Sequence, residues 1–292
     1  MRVLLNGRHG QLSLELQQRL RNVGELIVMG RDQLDLTKPD LIRKTVRNIR
    51  PDLIINAAGH TGVDQAESEP EAAFALNAVA PGILAEEALA LDIPLIHYST
   101  DYVFDGNKSE PYNEADTPNP QGIYGKSKLA GEQAVSAVNG KHLILRTSWV
   151  YSTHGRNFLL TMQRLLQERS ELRVVDDQIG APTWAGSVAN STLAIIERWQ
   201  GGEETWGTYH LTAQGEISWF GFAQAIVDVL HQQGKPCATL LPISSSEYQA
   251  AAVRPLNSRL DCSRLERDWG ISQPYWKSAL LECLDEQTEL LS

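Results

Sequence analysis

Short apolar runs alternate with helix-period segments through the first half of the chain, and this alternation restricts the fold more than any other feature. Val3–Asn6, Leu26–Met29, Leu53–Asn56, Leu95–Ser99 and His142–Thr147 read as strands. Between them, Gln11–Asn22 carries Leu12, Leu16 and Leu20 at helical spacing. Pro39–Ile49 sets Leu41, Ile42, Thr45 and Ile49 on one side, and Pro70–Leu91 is a long Ala-rich helix. A strand covered on both faces is apolar throughout rather than at alternate positions. Strands separated by helices are parallel and joined by right-handed crossovers. The expected fold class is therefore α/β, a doubly wound parallel sheet of the Rossmann type.

The second half changes character. Proline and polar clusters recur (Ala181-Pro182-Thr183, Gly201-Gly202-Glu203-Glu204, Leu241-Pro242, Arg254-Pro255), and all seven tryptophans lie at or beyond residue 149. Residues 1–150 are expected to form the dinucleotide-binding domain. Leu172–Val175 reads as another strand, and a segment of about 172–205 is expected to return to that domain. Residues 151–171 and 206–292 are left for a smaller, mixed α/β C-terminal domain that binds substrate.

Charge and targeting signals narrow the function. The 36 Asp and Glu outnumber the 26 Lys and Arg, a poor balance for neutralising a nucleic-acid backbone. Met1–Asn6 stops at Gly7, where a secretory core would continue. No apolar stretch is expected to approach the ~18 residues that span a bilayer. The three cysteines, Cys237, Cys262 and Cys283, form no CxxC pair and read as free thiols of a reducing compartment. The expectation is a cytoplasmic protein without nucleic-acid or membrane partners.

Gly7-Arg8-His9-Gly10-Gln11-Leu12-Ser13 follows the first strand and opens the first helix. Glycines there allow a tight turn and let backbone N–H groups at a helix N-terminus approach a pyrophosphate. Glycine also marks ordinary turns; the position after the first strand favours a nucleotide. The second strand runs into Gly30-Arg31-Asp32. Arg31 could hold the 2′-phosphate of NADPH, with Arg8 as a second contact, or be a solvated loop cation. Asp32 keeps NADH open, since an acidic residue at this place holds a ribose 2′-hydroxyl.

Tyr124-Gly125-Lys126-Ser127-Lys128 contains YxxxK on a helical run, which puts Tyr124 and Lys128 one turn apart on one face. A cation there is expected to lower the phenol from its ordinary value near ~10 and ready it for proton transfer. Lys128 can also reach a nicotinamide ribose. Ser99-Thr100-Asp101 ends the fourth strand, where doubly wound sheets place their ligand crevices, and supplies a hydroxyl to polarise a carbonyl.

This combination resembles the extended short-chain dehydrogenase/reductases, and most closely the dTDP-4-dehydrorhamnose reductase family. The similarity rests on Gly7–Gln11, RPDLIINAA at 50–58, TGVDQAE at 61–67, HYSTDYVF at 97–104, Tyr124–Glu132, RTSWVY at 146–151, DQIGAPT at 177–183 and RPLNS at 254–258. These segments run in order along the whole chain. The resemblance implies reduction of the 4-keto group of a dTDP-6-deoxy-hexulose by NADPH, with NADH also accepted. It makes Thr100 the polarising hydroxyl, Tyr124 the general acid and Lys128 the ribose-holding cation. It gives the cofactor Gly7, His9, Gly10, Gln11, Leu12 and Arg31, with Asp35 and Leu36 at the adenine and Ala57, Ala58 and His60 as a wall. Val63, Asp101, Tyr102 and Trp149 fall in the sugar pocket. Arg254 suits the substrate pyrophosphate, which arginine grips bidentately; otherwise it is a surface residue before a proline.

Two departures from the family pattern stand out. Ser13 replaces the usual third glycine. Glu15 matches a carboxylate through which some members dimerise on a divalent metal, but no partner carboxylates are recognisable, so no metal is expected, and monomer and homodimer both stay open. His97 reads as a satisfied core histidine, and Asp176-Asp177 with Gln178 and Gly180 as a structural loop rather than a metal site. Competing readings are a nucleotide-sugar epimerase or dehydratase, and a non-catalytic relative such as a methionine adenosyltransferase regulatory subunit. A dehydratase would carry Glu after Asp101, where Tyr102 stands. The intact Thr100, Tyr124 and Lys128 weigh against the non-catalytic relative.

Overall fold

A computed structural model describes residues 1–248 and 250–291. The main sheet contains β1 (Arg2–Asn6), β2 (Glu25–Met29), β3 (Leu53–Asn56), β4 (Leu95–Thr100), β5 (His142–Thr147) and β6 (Gly207–His210), all parallel, in the order β6-β5-β4-β3-β1-β2. The first five strands carry apolar residues on both faces because successive side chains enter two different cores. Leu4, Ile54, Leu95 and Ile144 face one side, while Val3, Leu5, Leu53, Ile55, Leu143 and Leu145 face the other.

Helices α1 (Gln11–Arg19), α2 (Pro39–Ile49), α3 (Pro70–Ala90), α4 (Ile123–Ala137) and α5 (Ala185–Gln200) cover the sheet. α1 and α5 share the core of Leu16, Leu20, Val188, Ala189, Ile195 and Ile196. α2, α3 and α4 contribute Ile42, Val46, Ile83, Leu84 and Val135 to the opposite one. A π-helical turn, Ala75–Val79, interrupts α3. β1 takes β2 on one side and β3 on the other, so the winding reverses there and opens a crevice beyond the carboxyl ends of these strands.

A further core joins Tyr151, Leu159, Leu166, Leu172, Val174, Trp184, Phe222, Ile226, Leu230, Trp276 and Leu280. Around it lie the helices Phe158–Glu168, Trp219–Gln232 and Trp276–Leu291.

The structure departs from the sequence reading in three places. Glu171–Val175 pairs in parallel with Thr239–Ile243 as a separate two-stranded sheet and does not return to the main sheet; α5 does return. The sixth strand is β6, assigned from sequence to the second domain. Its Gly-Thr-Tyr-His run is too short and polar to register as buried, yet Tyr209 and His210 are fully enclosed. Finally, the 21-residue α3 is apolar enough to span a bilayer, contrary to expectation. Its hydropathy comes from eight alanines together with six larger apolar residues, and 56% of its apolar window is buried inside the protein, as in a core helix.

Candidate active site

The turn after β1 needs glycine at residue 7. Its φ is +98°, and a Cβ there would lie 3.1 Å from the Ala57 carbonyl oxygen. Gly7 and Gly10 close the turn through Gly7 N to Met29 O (3.0 Å) and Gly10 N to Gly7 O (2.8 Å). α1 starts immediately, with neither a side-chain cap nor an acidic residue in its first turn. Its leading N–H groups remain available to an anion. Ser13 is fully buried and accepts a hydrogen bond from Gln17, so the missing third glycine leaves the packing intact.

A cleft of about 600 Å³ opens over the carboxyl ends of β1, β3, β4 and β5. It brings together His9, Gly10, Gln11, Leu12, Ala57, Ala58, His60, Val63, Thr100, Asp101, Tyr102, Tyr124, Lys128 and Trp149. β4 ends at Thr100, whose hydroxyl donates to Asp101 Oδ1 (3.0 Å) and accepts from the Tyr102 amide (3.2 Å). α4 carries Tyr124 and Lys128, and the Lys128 amine donates to the Tyr98 carbonyl at 2.6 Å. The Tyr102 ring meets Tyr124 edge-on, centroids 5.4 Å apart.

The electrostatics correct one expectation. Burial pushes the Tyr124 phenol up to about 12; a hydrogen bond from Thr100 opposes this, and the Asp101 charge adds to it. Lys128 therefore does not bring Tyr124 toward neutrality, and the phenol stays protonated across the physiological range. Lys128 is itself pulled down to about 8 by burial, with Glu132 one turn further along α4 acting to raise it. Burial lifts Asp101 to about 6.

Sequence reasoning missed several residues of the cleft. Asn56, at the end of β3, and Thr147 and Ser148, after β5, also line it; a strand-end position was the available signal. Asn77 sits in the π turn. Its side chain accepts from the His60 amide (2.8 Å) and donates to the His60 carbonyl and the Ser127 hydroxyl (both 3.0 Å). It thereby ties the loop after β3 to α4, and no periodicity announced it.

The residues present fit a dinucleotide. Besides the glycine turn and the uncapped helix start, buried polar atoms on Asn6, Ser99, Thr147 and Ser148 have no protein partner, an arrangement that is costly unless a ligand or solvent meets them. Arg31 is exposed just beyond β2. Arg8 pairs with Asp32 at 3.4 Å and also bonds Gln33 and the Val28 carbonyl. Asp35 accepts from the amide and hydroxyl of Thr37, which holds its carboxyl below the usual range. Leu36 is packed in the core. Arg31, Asp35 and Leu36 thus lie outside the residues that line the cleft.

A second cavity, about 840 Å³, adjoins the first and shares Tyr102 and Trp219 with it. Arg254 lines this cavity, and its guanidinium grips Asp64 through two bonds, 2.7 and 3.2 Å. Trp149, with φ +49°, stacks on Trp219 with centroids 3.6 Å apart and planes 11° from parallel.

The remaining polar candidates lie outside the residues that line the cleft. His97 is fully buried, with Nδ1 3.1 Å from the side-chain Nδ2 of Asn56, but its Nε2 has no partner, so it is not the fully satisfied core histidine expected. Asp176 accepts from Ser218 (2.5 Å), and Asp177 from the amide and hydroxyl of Ser245. Glu15 is buried against Arg19 at 2.6 Å, and no metal-holding cluster occurs among the described residues. All three cysteines are free thiols.

Comparison with known proteins gives concordant results. The RmlD substrate binding domain family matches residues 1–289. A dTDP-4-dehydrorhamnose reductase of Burkholderia thailandensis is 43% identical, covering 97% of this chain and 98% of its own. One from Escherichia coli is 41% identical over 98% of each chain. The crystal structure of dTDP-4-dehydrorhamnose reductase from Bacillus anthracis in complex with NADP superposes with a TM-score of 0.91 at 37% identity, covering 98% of this chain and 99% of that one. UDP-glucose 4-epimerase from Thermus thermophilus, at 17% identity and a TM-score of 0.80, shares the fold.

Proposed function

From the premise that this chain belongs to the dTDP-4-dehydrorhamnose reductase family, we propose how its own residues perform the reaction. The chain is an NAD(P)H-dependent oxidoreductase that reduces the C4 keto group of dTDP-4-dehydro-6-deoxy-L-mannose to give dTDP-L-rhamnose. The observation that carries this reading is the convergence of Thr100, Tyr124 and Lys128 in one cleft with residues 9–12 of the glycine turn and helix start.

The nicotinamide, when bound, supplies the reducing equivalent to the sugar carbon. Gly7, Gly10 and the start of α1 would hold its pyrophosphate, and Lys128 its ribose. Thr100, whose hydroxyl donates to Asp101 in the ligand-free site, would turn that one donor to the keto oxygen and favour charge developing there. Tyr124, kept protonated by burial, delivers the proton. Arg254 would exchange Asp64 for the substrate diphosphate. A dehydratase is disfavoured by Tyr102 following Asp101. Oxidation of NADPH that depends on dTDP-4-dehydrorhamnose, with dTDP-L-rhamnose as product, tests the reading. Conversion of dTDP-glucose to its 4-keto-6-deoxy product would overturn it.

Lys128 makes the activity pH-dependent. Its ammonium is lowered to about 8, so the charge is present below that pH and lost above it. kcat/KM is expected to fall as pH rises through about 8, with one-proton slope. In Lys128→Arg the guanidinium stays charged throughout, and this limb should vanish from whatever activity remains. A limb unchanged in Lys128→Arg would assign it to another group.

Cofactor choice should lean toward NADPH. Arg31 lies at the end of β2, and Asp32, the acceptor that would favour NADH, is engaged by Arg8. Exposed ion pairs contribute only about 0.2–1 kcal/mol, so a preference of a few-fold is expected. Arg31→Ala should abolish it, and an unaltered NADPH/NADH ratio of kcat/KM would sink the assignment.

A further inference from the structure

Both faces of the Trp149 indole are covered. Trp219 stacks on one at 3.6 Å. On the other lies Gly180, where an added Cβ would stand 2.6–3.0 Å from Trp149 Cε2, Cζ2 and Cδ2. Cδ2 and Cε2 are the fusion atoms of the indole, and a neighbour can have them among its nearest atoms only by approaching the ring face. A sugar therefore has no free Trp149 face to stack on while Trp219 stays in place.

Trp149 and Trp219 differ in freedom to move. The Trp149 backbone sits in the left-handed region at φ +49°, a conformation held by its surroundings, and its carbonyl accepts from the Thr183 amide at 3.2 Å. Trp219 is the first residue of its helix, directly after the Ser218 cap. Its other ring neighbour is Phe158, tilted at 41°. Trp219 and Tyr102 are also the two residues common to the catalytic cleft and the second cavity.

Building on the proposed reaction, we infer that Trp219 is a gate: its indole occupies the place of the substrate's sugar ring on Trp149 and closes the passage between the two cavities. Substrate entry displaces it. The displaced state exposes a Trp149 face beside Thr100 and Tyr124 and joins the catalytic cleft to the cavity of Arg254. A nucleotide sugar, with a hexose at one end and a diphosphate behind it, needs that continuous channel. Trp219 is a positioning residue, acting through Trp149.

Closely stacked indoles couple their transitions, so the pair should give an exciton couplet in circular dichroism that Trp219→Phe removes. The test titrates the NADP⁺-loaded protein with dTDP-L-rhamnose, following binding by calorimetry and the couplet in parallel. The expected result is loss of the couplet as the ligand saturates. Calorimetric binding with the couplet retained overturns the gate and leaves the proposed reaction standing. Absence of binding overturns the proposed reaction and the gate with it. Affinity supplies a second readout of opposite sign for the two roles. A gate opposes binding by about the stacking energy that must be broken, so Trp219→Ala should bind dTDP-L-rhamnose about 2- to 10-fold more tightly. Weaker binding in Trp219→Ala and Trp219→Phe alike would make Trp219 a sugar contact and refute the gate.

Discussion

Replacing Tyr124 by phenylalanine is expected to lower turnover by about 10²- to 10⁴-fold, the usual loss on removing a positioned general acid. The change keeps the ring and its edge contact with Tyr102 and removes only the hydroxyl. Binding of NADPH should survive, because the residues proposed to hold its pyrophosphate and ribose, the glycine turn and Lys128, are untouched. Lys128→Met should behave differently: it deletes the ribose contact together with a buried charge, so cofactor affinity and rate should fall together. Steady-state turnover with fluorescence titration of NADPH separates the two variants. Near-full turnover in Tyr124→Phe would move the proton donor elsewhere, with Thr100 the next group on the keto oxygen.

Arg146→Met is expected to be the most damaging change away from the cleft, costing about 3–5 kcal/mol of stability. Arg146 on β5 and Glu132 on α4 are only 6% and 5% exposed in their side chains and form a two-pronged ion pair, 2.9 and 2.6 Å. The guanidinium also lies over the Phe104 ring. Removing it strands the Glu132 carboxylate in the interior. The neighbouring His210 offers a poor replacement charge, since burial, the larger of the two effects that lower it, persists when Arg146 is gone. The double variant Arg146→Met, Glu132→Met should regain most of the loss, because two apolar side chains can fill the space of a buried pair at little net cost. Denaturant unfolding of the three proteins decides it; a single variant within 1 kcal/mol of the parent would show that the pair is not holding β5 to α4. Freed of Arg146, Glu132 should also raise Lys128, moving the alkaline limb of kcat/KM upward.

Much of the fold could be read from the sequence because the first five strands announce themselves. Each sends residues into two cores, so each carries an apolar run on both faces, polar only at its ends and at His97 of β4. β6 broke that rule, its buried Tyr209 and His210 being satisfied by polar partners rather than by apolar neighbours alone, and it was assigned to the wrong half. That Thr100, Tyr124 and Lys128 meet in one cleft was legible since a helix fixes the distance between Tyr124 and Lys128 and a strand end fixes Thr100. Trp219 was hidden for the opposite reason: its contact with Trp149 spans seventy residues of chain, and no local pattern reports it. The titration of Tyr124 was misread because spacing shows a nearby cation but not the burial that outweighs it.

The π turn of α3 makes residue count a determinant of the site. Such a turn carries one residue more than the α-helical turns around it, and here that extra residue aims Asn77 at both the His60 loop and Ser127. Val79, in the same turn, is half exposed, and exchanging its side chain should change little. Deleting it would restore ordinary helix and rotate Asn77 by about 100° relative to the following segment, severing the brace between the His60 loop and α4. The chain can therefore drift in composition along this stretch while its length stays fixed, and a scan by deletion would find a constraint at Val79 that a scan by substitution passes over.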